Sequence, residues 1–292
     1  MWFSHQWTDY ELIDASNKER LERWGSYTLI RPDPSVIWNT PRNSRWDNPN
    51  AIYHRSKTGG GSWEFFSLPR EWEITYKGEN LSLHFMLKPF SFKHTGLFPE
   101  QAANWDWISK LILKRREEGK SVKLLNLFAY TGGATLAAAA SGAEVTHVDS
   151  SRGMVSWARE NAALSGLSQA PIRWLTDDCI KFLERELRRG NHYDAIIMDP
   201  PSYGRGPKGE VWRMEDGIYD LLNLCRSVLS DHPLFVLINS YNSGLPPASL
   251  SYLLNTVFIP SKGGTVEANE LGIPVTATNL LLPCGAAGRW IA

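Results

Sequence analysis

Five apolar segments alternate with five amphipathic segments over the second part of the chain, and this alternation restricts the possible folds more than any other feature. Each apolar run is short enough for a strand buried on both faces, and each following segment repeats its apolar positions at helical spacing. A strand, a crossover helix and a second strand form the unit of a parallel sheet. The sequence therefore predicts an α/β fold with a doubly wound parallel sheet. The expected strands are 122–128, 144–148, 172–175, 193–198 and 234–238, and the expected helices lie near 132–141, 152–164, 178–188, 215–229 and 248–255.

The end of the chain departs from this alternation. Residues 264–269 and 280–290 have the pattern of two strands, and the segment between them shows no convincing helix. Two successive strands joined by a loop usually pair antiparallel. The sequence therefore predicts an antiparallel terminal hairpin that closes the edge of the sheet.

The first 90 residues have a different composition. They hold seven of the 13 tryptophans, and they contain short runs in which apolar and polar residues alternate, as in half-buried strands. We therefore expect a small β-rich N-terminal domain at 1–90, a candidate for substrate binding, and a second domain at 91–292. The expected N-terminal strands are 27–31, 63–66, 72–76 and 81–87.

The charges of the chain balance, with 31 Lys and Arg against 31 Asp and Glu. Because there is no global positive field, an acidic partner has to meet a local patch. The cysteines, Cys179, Cys225 and Cys284, are odd in number and widely spaced, which argues against a disulfide framework and a zinc site. The apolar stretch 134–140 is too short to span a membrane. We expect a cytoplasmic protein without a metal or a membrane partner, and the oligomeric state is left open.

A glycine pair follows the first predicted strand, in the stretch LLNLFAYTGGATLAAAA. In a doubly wound sheet the ligand binds at the carboxyl ends of the strands. Gly132 and Gly133 allow a tight turn there and a close approach of the backbone to the ligand. The triple-glycine pattern G-x-G-x-x-G, which admits the pyrophosphate of a dinucleotide after the first strand, is absent from this stretch. The pattern favours a cofactor without phosphates, such as S-adenosylmethionine.

Acidic residues follow the second and third predicted strands. Asp149 ends the second strand, where a carboxylate can accept hydrogen bonds from both hydroxyls of a ribose. Its alternative role is a helix N-cap, for which Ser150 and Ser151 are better placed. Asp178 follows the third strand and has two open interpretations, an acceptor for an adenine amine or the N-cap of the next helix.

Four stretches of the sequence carry a resemblance to a known family. They are KHTGLFPEQ (93–101), NLFAYTGGATLAAAASGAEVTHVDSS (126–151), ARENAALSGL (158–167) and MDPPSYGRG (198–206). Residues from about 84 to 245 resemble class I S-adenosylmethionine-dependent methyltransferases, and in particular the bacterial large-subunit ribosomal RNA methyltransferases that modify cytosine C5 or guanine N7. The resemblance implies a Rossmann-like methyltransferase sheet, S-adenosyl-L-methionine as the cofactor and ribosomal RNA as the substrate.

The resemblance also implies roles for individual residues. One position departs from the family, since Asn126 stands where an acid is usual, and this weakens a contact to the ammonium group of the cofactor. The implied positions are Phe128, Tyr130 and Gly132 around the methionine of the cofactor, Asp149 on its ribose, Asp178 on its adenine, Asp199 facing the target, and Thr95, Gly96 and Phe98 at the pocket entrance.

The fourth predicted strand ends in Asp199-Pro200-Pro201. Proline has no backbone N–H, so this segment presents a surface of hydrogen-bond acceptors, a carboxylate and free carbonyl oxygens. Such a surface suits an amine, and we expect Asp199 and the carbonyl of Pro200 to hold the amine of a base on which Tyr203 stacks. The alternative is that the segment only ends a strand and starts a loop.

Two basic residues follow in a glycine-rich stretch. Arg205 and Lys208 are expected to contact a phosphate of the substrate. The alternative for this stretch is an ordinary solvated loop.

The cysteine positions bear on which atom receives the methyl group. Carbon 5 of cytosine becomes nucleophilic only after a thiolate adds to the ring, and here Ser202 and the segment 240–243 stand where the cytosine-C5 relatives place cysteine. The sequence therefore predicts transfer to a nucleobase nitrogen in RNA. The alternatives are a methyltransferase for a protein side chain or a small molecule, and a non-catalytic RNA-binding module that retains the fold.

Overall fold

The structure is a computed structural model that describes residues 1–56, 60–90, 93–205, 211–241 and 244–292. Strands and helices are numbered here in chain order. The strands in these ranges are β1 (Tyr10–Ser16), β2 (Glu19–Trp24), β3 (Tyr27–Pro32), β4 (Ala51–Arg55), β5 (Gly61–Phe65), β6 (Trp72–Lys77), β7 (Ser82–Leu87), β8 (Lys123–Leu127), β9 (Glu144–Asp149), β10 (Ile172–Thr176), β11 (Ala195–Met198), β12 (Tyr203–Arg205), β13 (Val211–Arg213), β14 (Phe235–Ser240), β15 (Thr265–Val275) and β16 (Leu280–Ile291). The α-helices in these ranges are α1 (Ala102–Glu117), α2 (Gly133–Ala140), α3 (Arg152–Leu164), α4 (Cys179–Arg189), α5 (Met214–Ser227) and α6 (Pro247–Lys262).

The five predicted strands of the second part form the parallel half of a large mixed sheet. Within the described ranges this sheet has twelve strands, in the order β10-β9-β8-β11-β14-β16-β15-β1-β2-β3-β4-β5. The neighbours from β10 to β14 are all parallel. Their crossover helices, α2 to α5, follow the predicted segments within a few residues. The prediction of a doubly wound, Rossmann-like sheet is therefore confirmed.

The terminal hairpin is present, but it does not close the sheet. Strands β15 and β16 pair antiparallel as expected. The expectation that they form an edge is wrong, because β1 pairs with the free side of β15. The two strands are parallel, with Leu12 opposite Val275. The backbone N–H of Thr276 then donates to the Leu12 carbonyl at 2.9 Å. An edge that would present free backbone groups is covered in this way by the N-terminal strands.

The N-terminal region is rich in β structure, as predicted. It adds β1 to β5 to the large sheet and forms a separate antiparallel hairpin from β6 and β7. One of its apolar faces shares a core with the rest of the protein, since Trp24 and Phe85 belong to the same buried cluster as Trp105 of α1 and Leu136 of α2. The other face forms a small cluster of its own, Ile13, Leu21, Ile30 and Trp46. The division of the chain at residue 90 stays a prediction, and any such division would pass through this shared core.

The carboxyl ends of the parallel strands lie together at one edge of the sheet. The loops after β8, β9, β11 and β14 start there. Helix α1 and the segment before it, residues 93–101, lie against the same ends, as the contacts described below show. This edge is where a doubly wound sheet binds its ligand.

Candidate active site

The loop after β8 has an unusual backbone. Phe128, Tyr130 and Gly132 all have positive φ values, of 54°, 50° and 89°. For the two aromatic residues this left-handed conformation costs about 1 to 2 kcal/mol each. The surroundings hold it in place, because the N–H of Ala129 donates to the Val148 carbonyl at 3.1 Å and the N–H of Tyr130 donates to Asp149 at 2.9 Å.

The glycine pair after this loop allows a helix to start close to α1. Gly132 is the N-cap of α2. A side-chain carbon on Gly133 would lie 2.6 Å from the indole ring of Trp105, which no real contact allows. The N-terminus of α2 therefore packs directly on α1, as a glycine at this position permits.

Asp149 lies at the end of β9 and faces the loop. One carboxylate oxygen, Oδ2, accepts from the N–H of Tyr130 at 2.9 Å, and Oδ1 accepts from the N–H of Ser151 at 2.8 Å. Each oxygen keeps a lone pair for a further donor. The N-cap of α3 is Ser151 and not Asp149, so the alternative role of Asp149 as a helix cap is not realised. Burial raises the pKa of Asp149, and the two backbone N–H groups oppose that rise.

Asp178 takes part in a helix cap. Its Oδ1 accepts from the N–H of Lys181 at 2.9 Å, which makes it the N-cap of α4. One of the two open interpretations of Asp178 is thus realised, and its contact with adenine stays a prediction.

A cavity lies between the loop and the start of α1. Asp199 and Asn126 line it together with the loop residues and with polar groups from α1 and β14. Its lining residues are Leu97, Phe98, Gln101, Trp105, Asn126, Phe128, Ala129, Tyr130, Thr131, Gly133, Ala134, Ile197, Asp199 and Asn239.

Asn126 has a fixed orientation in this cavity. Its Nδ2 donates to the Thr135 hydroxyl at 2.9 Å, and that hydroxyl is 2.9 Å from Nδ1 of His147. Burial lowers the pKa of His147 to about 3, so the imidazole is neutral. The carbonyl oxygen of Asn126 and the second N–H of its amide have no hydrogen-bond partner among the described residues. An acceptor is therefore present at the position where an acid was expected, although it carries no charge.

Asp199 follows β11 directly and lies beside Asn239 at the end of β14. The register pairs Met198 with Ile238, so the next residues of the two parallel strands are neighbours. Burial raises the pKa of Asp199 to about 7, and the charge of Glu100 adds to the rise. The carboxyl group is therefore poised to gain or lose a proton near neutral pH.

A chain of side-chain amides under the cavity was missed by the sequence analysis. Arg289 of β16 donates to Oδ1 of Asn104, from Nη2 at 2.7 Å and from Nε at 3.2 Å. Asn104 then donates from Nδ2 to Oε1 of Gln101 at 2.9 Å and to Oδ1 of Asn239 at 3.0 Å. Gln101 donates from Nε2 to the hydroxyl of Tyr241 at 2.8 Å.

The arginine at the end of this chain sets its polarity. A guanidinium can only donate, so Oδ1 of Asn104 has to be the acceptor and Nδ2 the donor. Oδ1 of Asn239 is then an acceptor, so its Nδ2 is the amide nitrogen, whose N–H groups have no acceptor among the described residues. Arg289 lies between two indole rings, 3.7 Å from the centroid of Trp2 and 4.6 Å from that of Trp107. Burial lowers the pKa of Arg289 to about 9, so the group remains charged at neutral pH.

The segment before α1 contacts the loop after β8, and the roles that the resemblance gives to Thr95, Gly96 and Phe98 at the pocket entrance stay predictions. The hydroxyl of Thr131 donates to the carbonyl of Gly96, and the Phe98 ring lies 5.6 Å from that of Tyr130 and 5.5 Å from that of Tyr241. Thr95 is fully buried beside Gly96. Phe98 and Tyr241 thus place aromatic rings near the cavity.

Tyr203 is not brought to the cavity in the same way. It lies in the β12–β13 hairpin, is 50 % exposed, and is absent from the described lining of the cavity. The carbonyl of Pro201 accepts from Nε1 of Trp212 at 2.7 Å, whereas Pro200 is buried directly after Asp199. The backbone of Arg205 pairs with Val211 in the same hairpin, and Lys208 lies outside the described residues.

The cysteines are poor nucleophiles in these positions. Burial raises the pKa of all three thiols. Cys225 is fully buried in α5, and Cys179 accepts from the N–H of Phe128 at 3.3 Å. Cys284 is partly exposed in β16 and lines a second cavity together with Tyr241.

The family of the chain follows from a comparison with known protein families. The sequence profile of a family described as S-adenosylmethionine-dependent methyltransferase matches residues 52–231. The chain belongs to the S-adenosylmethionine-dependent methyltransferase family. It is therefore an enzyme, and S-adenosylmethionine is its cofactor.

Solved structures of methyltransferases agree with this assignment. An S-adenosylmethionine-dependent methyltransferase from Agrobacterium tumefaciens is 36% identical, with a TM-score of 0.90 over 99% of this chain and 92% of that chain. A second methyltransferase, from Streptococcus mutans, shares the fold at 15% identity, with a TM-score of 0.72 over 98% of this chain and 76% of that chain.

Curated relatives are similar over a shorter part. The ribosomal RNA large subunit methyltransferase K/L of Syntrophotalea carbinolica is 31% identical over 183 residues, which are 62% of this chain and 24% of the relative. The protein of the same name from Pseudoalteromonas atlantica is 38% identical over 125 residues, 42% of this chain and 16% of the relative. The chain thus spans about a quarter or less of the length of these relatives.

The residues of the site fit the cofactor. Asp149 has lone pairs left for two hydroxyl donors, and the carbonyl oxygen of Asn126, which lines the cavity, has no donor among the described residues. The hydroxyl of Tyr130 is buried without a hydrogen-bond partner among the described residues, as expected for a side chain that faces a ligand. No group of His, Cys, Asp and Glu in the described ranges could hold a metal ion. No helix there is long and apolar enough to cross a membrane.

Proposed function

We propose that this methyltransferase modifies a nucleobase nitrogen in RNA, most specifically in ribosomal RNA. The names of the curated relatives support the class of substrate. The choice of nitrogen is supported by the observation that carries the proposal, the partly buried Asp199 beside the cofactor cavity, followed by a buried proline.

The arrangement around Asp199 suits an amine substrate. An ionised carboxylate accepts hydrogen bonds from an amine, and the backbone carbonyl oxygen of Pro200 is proposed to accept a second hydrogen bond from the same amine. These two acceptors orient the nitrogen towards the cavity. When bound, S-adenosylmethionine supplies a methyl group on a sulfonium. The main contribution of the protein is then to hold the acceptor nitrogen in line with the bond between the methyl carbon and the sulfur.

The thiols support nitrogen over carbon as the acceptor atom. Attack on cytosine C5 requires a thiolate at the substrate. Burial disfavours the thiolate of Cys179, Cys225 and Cys284. Transfer to an amine or ring nitrogen needs no such group, and Asp199 with its pKa near 7 can take up the proton that leaves.

A comparison of modified nucleosides tests the proposal directly. Ribosomal RNA from a strain without this gene and from its parent is digested and analysed by mass spectrometry. We expect one N-methylated nucleoside to disappear and to return when the purified protein and cofactor are added. An unchanged nucleoside profile, with a methylated protein or metabolite lost instead, would favour the other substrates.

The proposed phosphate contacts of Arg205 and Lys208 are tested by charge reversal. We expect the Michaelis constant for RNA to rise while cofactor affinity stays the same, and RNA binding to weaken as salt increases. Activity that is insensitive to salt would contradict an RNA substrate.

A further inference from the structure

A cluster of buried charges lies on the face of β2 and β3 that is turned towards the methyltransferase core. Arg20 pairs with Arg31 across the two strands, and Glu22 lies on the same face. The three side chains are 8%, 1% and 0% exposed. Charges buried to this extent need partners, because removing an ion from water is costly.

Arg31 has a full set of partners. Its Nε and Nη2 donate to the two oxygens of Glu22, at 2.6 and 2.8 Å, and its Nη1 donates to the Lys93 carbonyl at 2.9 Å. Glu22 also accepts from the Tyr10 hydroxyl at 2.8 Å. Although burial alone would raise it, Arg20 and Arg31 hold the pKa of Glu22 at about 2. Glu22 and Arg31 therefore neutralise each other.

Arg20 forms ion pairs but no hydrogen bond among the described residues. Its closest acidic oxygens are Oε1 of Glu22, 3.3 Å from Nε, and Oδ2 of Asp33, 3.6 Å from Nη1. Neither contact is a hydrogen bond, and Nε is buried without a partner among the described residues. A guanidinium that is nine-tenths buried with an orphaned donor is the sign of a missing acceptor.

A second cation converges on the same place. Nζ of Lys93 donates to the carbonyl of Pro32 at 3.1 Å, next to the Asp33 that faces Arg20. Burial lowers the pKa of Lys93 to about 8, with Arg20 and Arg31 adding to the effect. Asp33 contacts Arg20 but has no described ion pair with Lys93, and its Oδ1 already accepts from the N–H of Ser35 at 2.9 Å.

The cluster is connected along the sequence to a segment that lines the cofactor cavity. Lys93 starts the segment that continues through Phe98 to Gln101, and both of these residues line the cavity. Glu100, in the same segment, is buried, and its Oε2 has no partner in the described ranges. The charge of Arg20 lowers the pKa of Glu100 against the larger effect of burial.

We propose that Arg20 and Lys93 form a binding site for an oxyanion beside the cofactor cavity. Nε of Arg20 and the N–H groups of Lys93 that have no acceptor among the described residues favour a group with several acceptor oxygens. Two sources supply such a group, a phosphate of the substrate and the carboxylate of the cofactor. The phosphate source rests on the proposed function, whereas the site itself does not.

Thermal unfolding with inorganic phosphate tests the site without any methyl transfer. Potassium phosphate is compared with potassium chloride at equal ionic strength, pH 7.5. Phosphate at about ten times its dissociation constant should raise the unfolding midpoint by about 3 °C. The rise should be lost in Arg20→Met and kept in Arg23→Met, which removes a cation from the same strand that is paired with Glu11 at 3.1 Å.

A second variant tests the site independently, in case Arg20→Met does not fold. Lys93→Met removes a cation whose described side-chain hydrogen bond is to a backbone carbonyl, so it leaves no acid without its partner. It should also lose the phosphate effect. No shift in the wild-type protein, or an equal shift in the wild type and both variants, overturns the proposal.

The source of the anion is decided by two titrations of the same variants in phosphate-free buffer. If S-adenosylhomocysteine binds about tenfold more weakly, the anion is the cofactor carboxylate. If that affinity is unchanged and RNA binding loses about one unit of its salt dependence, the anion is a substrate phosphate. If neither affinity changes, the site has no role in the reaction and the proposal fails.

Discussion

Asp199 and Asn239 lie side by side at the ends of β11 and β14, because the parallel register pairs Met198 with Ile238. Asp199 offers carboxylate oxygens to the cavity that both residues line. The oxygen of Asn239 accepts from Asn104, and its amide N–H groups have no acceptor among the described residues and can donate to a ligand. An acceptor and a donor of hydrogen bonds are thus presented next to each other where the methyl group is expected.

Replacement of Asp199 should separate catalysis from cofactor binding. We expect Asp199→Ala to abolish turnover while S-adenosylhomocysteine still binds within about threefold of the wild type in calorimetry, since the proposed ribose contact is at Asp149. Because the pKa of Asp199 is raised to about 7, wild-type turnover should rise between pH 6 and 8. Full activity of Asp199→Ala would remove the residue from the mechanism.

The same raised pKa predicts a cost in stability at neutral pH. In the unfolded chain Asp199 ionises near its ordinary pKa of 3.8, but in the native protein it stays protonated until about pH 7. The native state favours the protonated carboxyl group. The stability that this protonated group allows is fully present below pH 4 and is lost as the pH rises through about 7, where the buried group becomes charged. Asp199→Asn should unfold at a higher temperature than the wild type at pH 8, and this difference should shrink towards pH 4. A constant difference across this range would contradict the assignment.

Asp149 should carry much of the affinity for the cofactor. We expect Asp149→Ala to weaken binding of S-adenosylmethionine at least tenfold, through the loss of charge-assisted hydrogen bonds to the ribose. Asp149→Asn keeps one acceptor oxygen and should show a smaller loss. Calorimetry on the folded variants measures both effects. An unchanged affinity in Asp149→Ala would show that the ribose binds elsewhere.

The chain of amides below the cavity should matter although most of it is remote from the substrate. Asn104→Asp keeps an acceptor for Arg289 but removes the donor to Gln101 and Asn239. The orientation of both amides is then no longer fixed, and we expect kcat/KM to fall about tenfold. Asn255→Asp is a matched control, because Asn255 is exposed on α6. Equal activity of both variants would show that the polarity of the chain is unimportant.

The thiols should be dispensable. Replacing Cys179, Cys225 and Cys284 by Ser or Ala should leave most of the activity in a protein that still folds, because a nitrogen acceptor needs no covalent intermediate. A covalent adduct with RNA that contains 5-fluorocytosine, lost with any one of the cysteines, would show transfer to carbon instead. Cys284 is the variant to examine first, since it lies near Tyr241 and is partly exposed.

The parallel half of the sheet could be predicted because each strand is a continuous apolar run. Asp149 and Asp199 stood out since each ends such a run with a charge. Strand β2 was missed for the opposite reason. Its buried face carries Arg20 and Glu22, so the alternation of apolar and polar residues that marks a half-buried strand is broken.

The polar groups below the cavity left no local signal either. Arg289 and Asn104 are 185 positions apart in the sequence, and neither lies in a motif that suggests a contact. Such pairs are created by the tertiary fold, because a sheet brings distant strands together. The role given to Tyr203 stays a prediction, while Tyr241, which does reach the site, sits in a stretch that was considered only for the absence of cysteine.

The pairing of β1 with β15 has a consequence for how the protein is made. The ribosome adds roughly 5 to 20 residues per second. Leu12 emerges early, yet its partner Val275 follows only after most of the chain, which is a delay of about 15 to 50 seconds. During that time the first strands expose an edge that invites wrong pairing. We expect slow folding, because two strands that are far apart in the sequence must pair before this part of the sheet is complete.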